Sequence, residues 1–426
     1  MRAAATRPHS TRIHAASTAA SLLSTLVLAA CGASEEVSRS ATVRDSAGIR
    51  IVENGALPGD DAPRWRVAES PSLELGAVDG PAGEQLFGVV GAARLADGRW
   101  AVLNGGTRQL LFYGPDGRPL GSAGGEGEGP GEFRAPSRLH ALPGDTLLVW
   151  DLPLGRLHRF DGAGEFLDTE ESRFRENEGL PGHPYATEVA EVLPDGSVLV
   201  FAYPVRPRGE WPVGRHRPEL LLTWLAPDGS ATRLGTYGGL EQDLVIIDGG
   251  RPYPIIPPYA RELALAIPPA AGLPLVLGEQ TTPGFERFER GRLTGIVRWT
   301  SPDPPVTAED IRAWETRTRK WAAGFGSEEA FERARAKATL TETRSPYGPI
   351  HVDASGHVWV GEAVPDWRTL PRTFDVYAPD GAWTARVDVP PVRILDIGTA
   401  HIAGVYRDEM EVEFLRVYAL ERSPGS

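Results

Sequence analysis

Residues 139–151 read LHALPGDTLLVWD, and residues 350–362 repeat the same plan as IHVDASGHVWVGE. In both stretches an apolar segment is followed by a turn that contains glycine, by a second apolar segment and by an acidic residue. Residues 94–104 and 192–200 follow the plan with Asp-Gly in the turn. Because a Gly/Asp turn between alternating apolar residues favours a tight β-hairpin, each stretch predicts a pair of antiparallel strands.

A second predicted hairpin follows each of the first ones. Its apolar segment and turn recur at residues 110–117, 157–164, 222–229 and 374–381. Two consecutive hairpins form a four-stranded antiparallel sheet, which is the unit of a β-propeller. One such sheet cannot cover its own apolar faces, so the sheets are expected to stack around an axis.

The repeat has a period near fifty residues and predicts the fold class. Units are expected near residues 86–122, 133–172, 186–238, 259–300, 346–388 and 393–420. The last is short, and strands at 48–52 and 65–68 could complete it and close the ring, which would leave no exposed sheet edge. We therefore predict an all-β, six-bladed propeller, with seven blades as the alternative if residues 48–78 form a unit of their own.

The glycine-rich stretch before the second unit carries a resemblance to a known family. Residues 124–133 read GGEGEGPGEF, and they are followed by Pro136, by LVWD at 148–151 and by the turn at 161–164. This pattern resembles an NHL-type repeat, and the resemblance implies a six-bladed propeller. It extends less well to 86–122 and 346–388, and poorly to 186–300. Propellers host many unrelated functions, so the resemblance implies a fold more than an activity.

Two stretches interrupt the repeat. Thr307 and Asp310 form a helix-capping pattern, and apolar residues then recur at helical spacing, which predicts a helical insertion over residues 307–340 that lies on one face of the ring. We interpret its Trp and Phe stripe as packing rather than as a groove for a partner. Residues 240–258 contain too many prolines for a central strand and predict a loop on one face.

The first thirty residues predict a secretory signal. They contain three arginines and no acidic residue, and they end in a short apolar run at 22–30. LAAC at 28–31 resembles the bacterial lipobox, which implies cleavage before Cys31 and lipid attachment to it. Gly32 then implies outer-membrane sorting. The predicted domains are a signal peptide (1–30), a lipidated tether (31–48) and a propeller (49–422).

Composition limits the classes of partner. The formal net charge is −13, and it becomes more negative once the arginines of the signal are removed. This balance argues against nucleic acid and against an anionic membrane surface as partners, which leaves lipid as the only predicted membrane attachment. Cys31 is the only cysteine, so the chain can form no internal disulfide. We expect a monomer.

No compact catalytic motif is present in the sequence. Gly-x-Ser-x-Gly, His-Glu-x-x-His, a P-loop and an EF-hand loop are all missing. The glycine-rich residues 124–131 lack the Gly-Lys-Ser/Thr ending of a phosphate-binding loop, and their glutamates would repel phosphate. We interpret them as a connector between blades.

One candidate metal site follows from aligning the repeats. The position nine residues before the valine of each innermost hairpin holds His140, Glu191, His351 and Asp396. Equivalent positions of a propeller lie on a ring about its axis, so these side chains could converge on the channel. Imidazole and carboxylate suit a divalent cation such as zinc, iron or manganese, which could activate water. Ordered water is the alternative occupant.

A second set of residues ends the same strands. It consists of Asn104, Asp151, Glu279, Glu362 and Arg407. Asp151 matches the aspartate that ends this strand in NHL-type repeats, and we expect these acids to bond to turn amides in a structural role. His183, His216 and His401 have no partner that the sequence identifies.

Three functions remain open at this stage. We expect a non-catalytic propeller of the bacterial cell envelope that binds an envelope protein or a small ligand through one face. That face would be built from residues 172–188, 204–218, 240–258 and the helical insertion. The alternatives are a metal-dependent hydrolase or lyase with its site in the channel, and a structural lipoprotein of an envelope assembly.

Overall fold

The computed structural model describes residues 41–59, 62–81, 84–172, 185–204, 212–247, 252–324 and 327–422. These residues form an all-β protein with two helices in the described part. Neither helix is long and apolar enough to span a membrane. Cys31 and the predicted signal and most of the tether lie outside the described residues, as do His183 and most of 172–188.

The strands are numbered in chain order. The first twelve are β1 (Thr42–Ser46), β2 (Ile49–Ala56), β3 (Arg64–Val67), β4 (Leu73–Leu75), β5 (Val89–Arg94), β6 (Trp100–Asn104), β7 (Gln109–Tyr113), β8 (Pro119–Gly124), β9 (Pro136–Leu142), β10 (Thr146–Asp151), β11 (Arg156–Phe160) and β12 (Phe166–Glu171). The next eleven are β13 (Tyr185–Val192), β14 (Val198–Pro204), β15 (Gly214–His216), β16 (Glu219–Leu225), β17 (Ala231–Gly238), β18 (Gln242–Ile246), β19 (Pro252–Ile255), β20 (Ala264–Ala266), β21 (Leu275–Gly278), β22 (Gly284–Glu289) and β23 (Arg292–Thr300). After the helices α1 (Ala308–Gly324) and α2 (Glu328–Arg335) come β24 (Ile350–Val352), β25 (Val358–Gly361), β26 (Thr373–Tyr377), β27 (Trp383–Asp388), β28 (Arg393–Ile397), β29 (His401–Arg407) and β30 (Glu413–Glu421).

Consecutive hairpins pair into antiparallel sheets, as the repeat predicts. The strand orders are β5-β6-β7-β8, β9-β10-β11-β12, β13-β14-β16-β17, β20-β21-β22-β23 and β24-β25-β26-β27. The glycines of the Asp-Gly turns adopt the left-handed conformation, with φ of +88° at Gly98 and +84° at Gly117. Glycine adopts this conformation without steric strain, which is why these positions form tight turns.

The hydrophobic core lies between neighbouring sheets. Leu103 of β6 packs with Val149 of β10 in a cluster that joins the first two of these sheets. Similar clusters join β9–β12 to Val192, the β14–β16 sheet to β21, β20–β23 to β24–β26, and β25–β27 to β28–β30. A last cluster joins β28–β30 back to β5–β7. The sheets therefore succeed one another around an axis and return to the start, which is a β-propeller.

The N-terminal strands close the ring differently from the prediction. The strand predicted at 48–52 (β2) does not complete the last unit, because it pairs in parallel with β23, where Val52 is buried against Val297. The strand predicted at 65–68 (β3) lies between β27 and β30. β3 pairs with the end of β30, and β4 continues the pairing along β30, where Leu75 packs against Leu415. The predicted strand at 65–68 and a short strand that the sequence pattern does not indicate thus share this place.

The prediction of a loop over 240–258 is wrong, because this stretch contains β18 and β19. They form a separate antiparallel sheet in the order β15-β18-β19. The prolines of β19, Pro252 and Pro254, are tolerated because β19 lies at the edge of the described sheet. β15 likewise lies within the predicted loop 204–218.

The two helices of the predicted insertion pack on this small sheet. Thr307 Oγ1 accepts a hydrogen bond from the Asp310 amide at 3.1 Å, and Asp310 Oδ2 accepts one from the Thr307 amide at 2.9 Å, which is the capping box that the sequence predicts. Trp314 and Phe331 are buried with Val245 of β18. Trp314 and Phe331 of the aromatic stripe are therefore core, whereas Trp321 is exposed.

Candidate functional site: an axial cavity

A cavity of about 760 Å³ lies where the innermost strands meet. Its lining comes from β5, β9, β20, β24 and β28 and the hairpin turns that follow them, together with Glu191 of β13. Inner strands of successive sheets surround the propeller axis, so the cavity is axial. It has the size of a small-molecule site.

The four residues predicted from the repeat all line this cavity: His140, Glu191, His351 and Asp396. The strand register explains why. His140 pairs with Leu148, Glu191 with Leu199 and His351 with Trp359, so each stands opposite the residue that precedes the reference valine. In β28 an irregularity between Ile394 and Asp396 shifts the register, and Asp396 stands opposite Ala403.

Sharing a cavity does not bring these side chains together as metal ligands. His140 Nε2 lies 2.9 Å from the Val192 carbonyl oxygen. Burial lowers the pKa of His140 to about 4, so this imidazole is neutral at physiological pH. A neutral ring donates from Nε2 in this geometry, which ties β9 to the next sheet.

The two carboxylates are also engaged. Glu191 accepts a hydrogen bond from Arg138 Nε at 2.8 Å and forms an ion pair with that side chain on the cavity wall. Asp396 Oδ2 lies 2.8 Å from His401 Nε2. Across the described ranges, no three His, Cys, Asp or Glu side chains are grouped so that they could hold a metal ion. The residues present therefore do not fit the predicted zinc, iron or manganese site.

His351 differs from the other three residues, because no hydrogen bond to the rest of the described chain engages its ring. It packs against Phe374 with tilted rings, whose centroids are 5.9 Å apart. Burial lowers its pKa to about 4, although part of the side chain still faces the cavity. The imidazole is thus a neutral group that is held by packing and open to a ligand.

A second cavity of about 490 Å³ adjoins the first. The two share Pro349, His351, Arg393 and Ile394 in their walls. The second cavity has a mainly apolar lining with several prolines, and Trp367 on its wall is 68% exposed. A ligand could therefore contact both cavities at the His351–Arg393 section.

His401 is a residue of the cavity that the repeat pattern does not identify. This residue follows Asp396 across the β28–β29 turn, and its ring packs edge-on against Trp100 at 5.4 Å. The Asp-x4-His spacing was the only signal in the sequence, and such a spacing is common by chance. His401 lines the cavity, and its contact with Asp396 uses Nε2 and leaves Nδ1 as its other ring nitrogen.

The strand-ending residues mostly accept hydrogen bonds from backbone amides. Asp151 is fully buried, and its Oδ2 accepts from the Arg134 amide at 2.6 Å. Glu279 accepts from the Gly238 amide at 2.6 Å, and Glu362 accepts from the Arg372 amide at 2.7 Å. Asn104 accepts from the Phe87 amide at 2.8 Å. These contacts fix the chain where it enters or leaves a sheet.

Arg407 is the exception in this set. It forms an ion pair with Glu413, whose Oε2 accepts a hydrogen bond from the Val89 amide at 2.7 Å. Glu413 thus takes the amide-accepting role in the last sheet, and it joins β30 to β5.

No protein-family model and no curated protein matches the sequence. Solved structures of low similarity include a protein described as exported from Bacteroides fragilis NCTC 9343 (11% identity, 88% of this chain and 99% of that chain covered, TM-score 0.44). Others are a member of the DUF4221 family from Bacteroides vulgatus (8% identity, 85% and 100% covered, TM-score 0.43) and a calcium-binding regucalcin from Agrobacterium tumefaciens (14%, 85% and 97%, TM-score 0.35). At these identities and scores, no activity follows for this chain.

Proposed function

We propose that this chain is a non-catalytic binding protein of the bacterial cell envelope that takes a small ligand in its axial cavity. The observation that carries the proposal is the chemistry of the cavity wall. Most of its ionisable groups are tied to protein partners, as in Arg138–Glu191, whereas the shared His351–Arg393 section is open to a ligand. A binding site needs few free polar groups, and a metal-dependent catalytic site needs several that converge.

The proposal also includes the number and type of the propeller blades and the location of the protein in the cell envelope. The closed series of sheet-to-sheet clusters supports six blades rather than seven, and the pattern at 124–164 is the support for the NHL-like type. LAAC at 28–31 supports cleavage before Cys31 and a lipid anchor, and Gly32 favours the outer membrane. The acidic composition supports a partner other than nucleic acid, and we propose a monomer.

The ligand proposal is tested by thermal unfolding of the chain without its first 31 residues, with and without a small-molecule extract of the envelope. A ligand that binds only the folded state raises Tm. Ala141 is a half-buried, cavity-lining residue, and Ala141→Trp should abolish the rise by filling the site. Ala231→Trp on the outer strand β17 is the matched control and should retain it. Equal rises in both variants would refute an axial site.

The anchor is tested separately by cell fractionation. Cys31→Ser removes the only thiol that could be acylated, so the protein should move from the membrane fraction to the washable fraction. Membrane association that is unchanged in Cys31→Ser would overturn the lipid anchor without affecting the ligand proposal.

A second candidate function is favoured by the Asp396–His401 pair. A carboxylate that holds one imidazole nitrogen leaves the other in position to act as a general base. We propose, as the alternative to a binding protein, a hydrolase or lyase that uses His401 in the cavity without a metal. The test is a screen of esters and lactones: activity that is lost in both His401→Gln and Asp396→Asn, in folded proteins, would favour the enzyme over the binding protein.

A further inference from the structure

Arg393 lies where the two cavities meet, and the acidic residue whose charge acts on it, Glu413, is already paired with Arg407. Arg393 forms no ion pair with the rest of the described chain, and its one hydrogen bond goes from Nη2 to the Val89 carbonyl oxygen at 2.6 Å. Its side chain remains exposed to the cavities. A guanidinium has five N–H donors, and Arg393 uses one of them in this hydrogen bond. The other donors are available to a ligand.

The neighbourhood of Arg393 adds a second polar contact. His351 lies in the same shared wall and has no hydrogen-bond partner in the described chain. Its pKa of about 4 makes the ring neutral, so it can donate one hydrogen bond and does not add charge. A guanidinium beside a neutral N–H donor is suited to a carboxylate, which accepts two or more hydrogen bonds.

The second cavity has an apolar surface next to Arg393 and His351. Its walls include Ile256, Pro257, Leu370, Phe374 and Val392, and Trp367 presents an exposed ring. Aromatic and aliphatic walls favour the alkyl or ring body of a ligand through burial of apolar area. A carboxylate at Arg393 would place an attached apolar body within reach of these walls.

We propose that the His351–Arg393 section and the adjoining apolar cavity bind a small amphipathic carboxylate, with the carboxylate on Arg393 and the apolar body against Trp367. This inference rests on the proposed binding function and names its ligand class. Glu262 also lines the apolar cavity and forms no ion pair in the described chain. Its charge opposes an anionic ligand, so Arg393 and Glu262 should have opposite effects on binding.

The test is calorimetric titration of the chain without its first 31 residues with octanoate, and with octan-1-ol as the uncharged match. Octanoate should bind more tightly than octanol. Arg393→Gln should weaken octanoate by about tenfold to a hundredfold, as expected for the loss of a charge-assisted hydrogen bond. Glu262→Gln should strengthen the binding of octanoate. Trp367→Ala should weaken the binding of octanoate and of octanol to the same extent.

Controls separate a local from a global effect. Arg118→Gln changes an arginine in the β7–β8 turn whose side chain is 84% exposed, and it should leave octanoate binding unchanged. Arg393→Lys keeps the charge if Arg393→Gln proves unstable, and it should retain most of the preference for octanoate over octanol.

Equal affinity for octanoate and octanol in the parent protein would overturn the inference. So would octanoate binding that is the same in Arg393→Gln, Arg118→Gln and the parent. If neither probe binds while the envelope extract still raises Tm in a manner blocked by Ala141→Trp, the ligand class is wrong and the proposed function stands. If the extract also has no effect, both fail.

Discussion

The β9–β12 sheet and the helical insertion with its small sheet are built by different means. In β9–β12, turn glycines, a buried aspartate and a repeated apolar pattern specify the strands, and the sheet is covered by its neighbours in the ring. In the insertion, α1 and α2 cover the short sheet β15-β18-β19 with an apolar cluster of its own. The comparison shows one region stabilised by the ring and another largely by a local core.

The largest expected effect tests whether these two cores are independent. Phe133 is fully buried between β5–β8 and β9–β12, and Trp314 is the buried centre of the insertion. Phe133→Ala should lower the free energy of unfolding of the whole ring by about 3–5 kcal/mol. Trp314→Ala should remove a similar amount locally, so that the insertion opens while the ring stays folded.

Hydrogen exchange measured peptide by peptide distinguishes the two outcomes. We expect faster exchange in all sheets for Phe133→Ala, and only in β15, β18, β19 and the helical insertion for Trp314→Ala. Uniform acceleration in both variants would show that the insertion and the ring unfold as one unit.

The next effect concerns the glycine-rich connector before β9. Gly124 has φ of +81°, and a Cβ built there would lie 2.4 Å from Cε2 of Phe133. Gly124→Ala therefore adds both backbone strain and a clash, and should cost about 2–4 kcal/mol in urea unfolding. Gly144 has φ of +78° with open space around it, so Gly144→Ala should cost only about 1 kcal/mol. If the two variants lost the same free energy of unfolding, the Phe133 ring would have moved out of the way of the new methyl group at no energetic cost.

The smallest effect lies in the insertion and depends on pH. Desolvation raises the pKa of Asp310, but hydrogen bonds from Thr307, Arg344 and Tyr259 outweigh it and lower the pKa to about 2. A carboxyl with a depressed pKa contributes stability above its unfolded pKa, near 4, and this stability is lost as the pH falls towards about 2. With solvent screening we expect about 1 kcal/mol.

Helical circular dichroism of the insertion measures this contribution. Between about pH 4 and about pH 2 the parent should lose helix stability, and Asp310→Asn should show a smaller change. An identical pH dependence in the two proteins would show that the contacts of Asp310 do not stabilise the helix.

The sequence predicts most of the hairpins of the ring. It does not predict the pairing of the N-terminal strands or the small sheet β15-β18-β19. Asp-Gly turns and alternating apolar residues are local signals, so the hairpins from 86 to 172 and from 346 to 388 could be placed in advance. The pairing of β2 with β23 and of β4 with β30 depends on contacts between distant segments, which no local pattern records. The strands β18 and β19 were missed because the prolines in and after β19 argue against a central strand but not against an edge.

The sequence predicted where the four site residues lie. It did not predict which partners their side chains contact. Register in the repeat places His140, Glu191, His351 and Asp396 on one cavity. Whether these side chains face a ligand or a protein partner depends on neighbouring sheets, such as Arg138 beside Glu191 and Val192 beside His140. Arg393 was missed because an arginine in a strand has no distinctive sequence pattern.

Native mass spectrometry most directly tests the central claim that the axial cavity binds an organic ligand rather than a metal. The chain without its first 31 residues would be measured after exposure to an envelope extract. We predict a single added mass of a small organic molecule, present in Ala231→Trp and absent in Ala141→Trp. An added mass of one divalent metal ion, lost in a folded His140→Ala/His351→Ala double variant, would contradict the account.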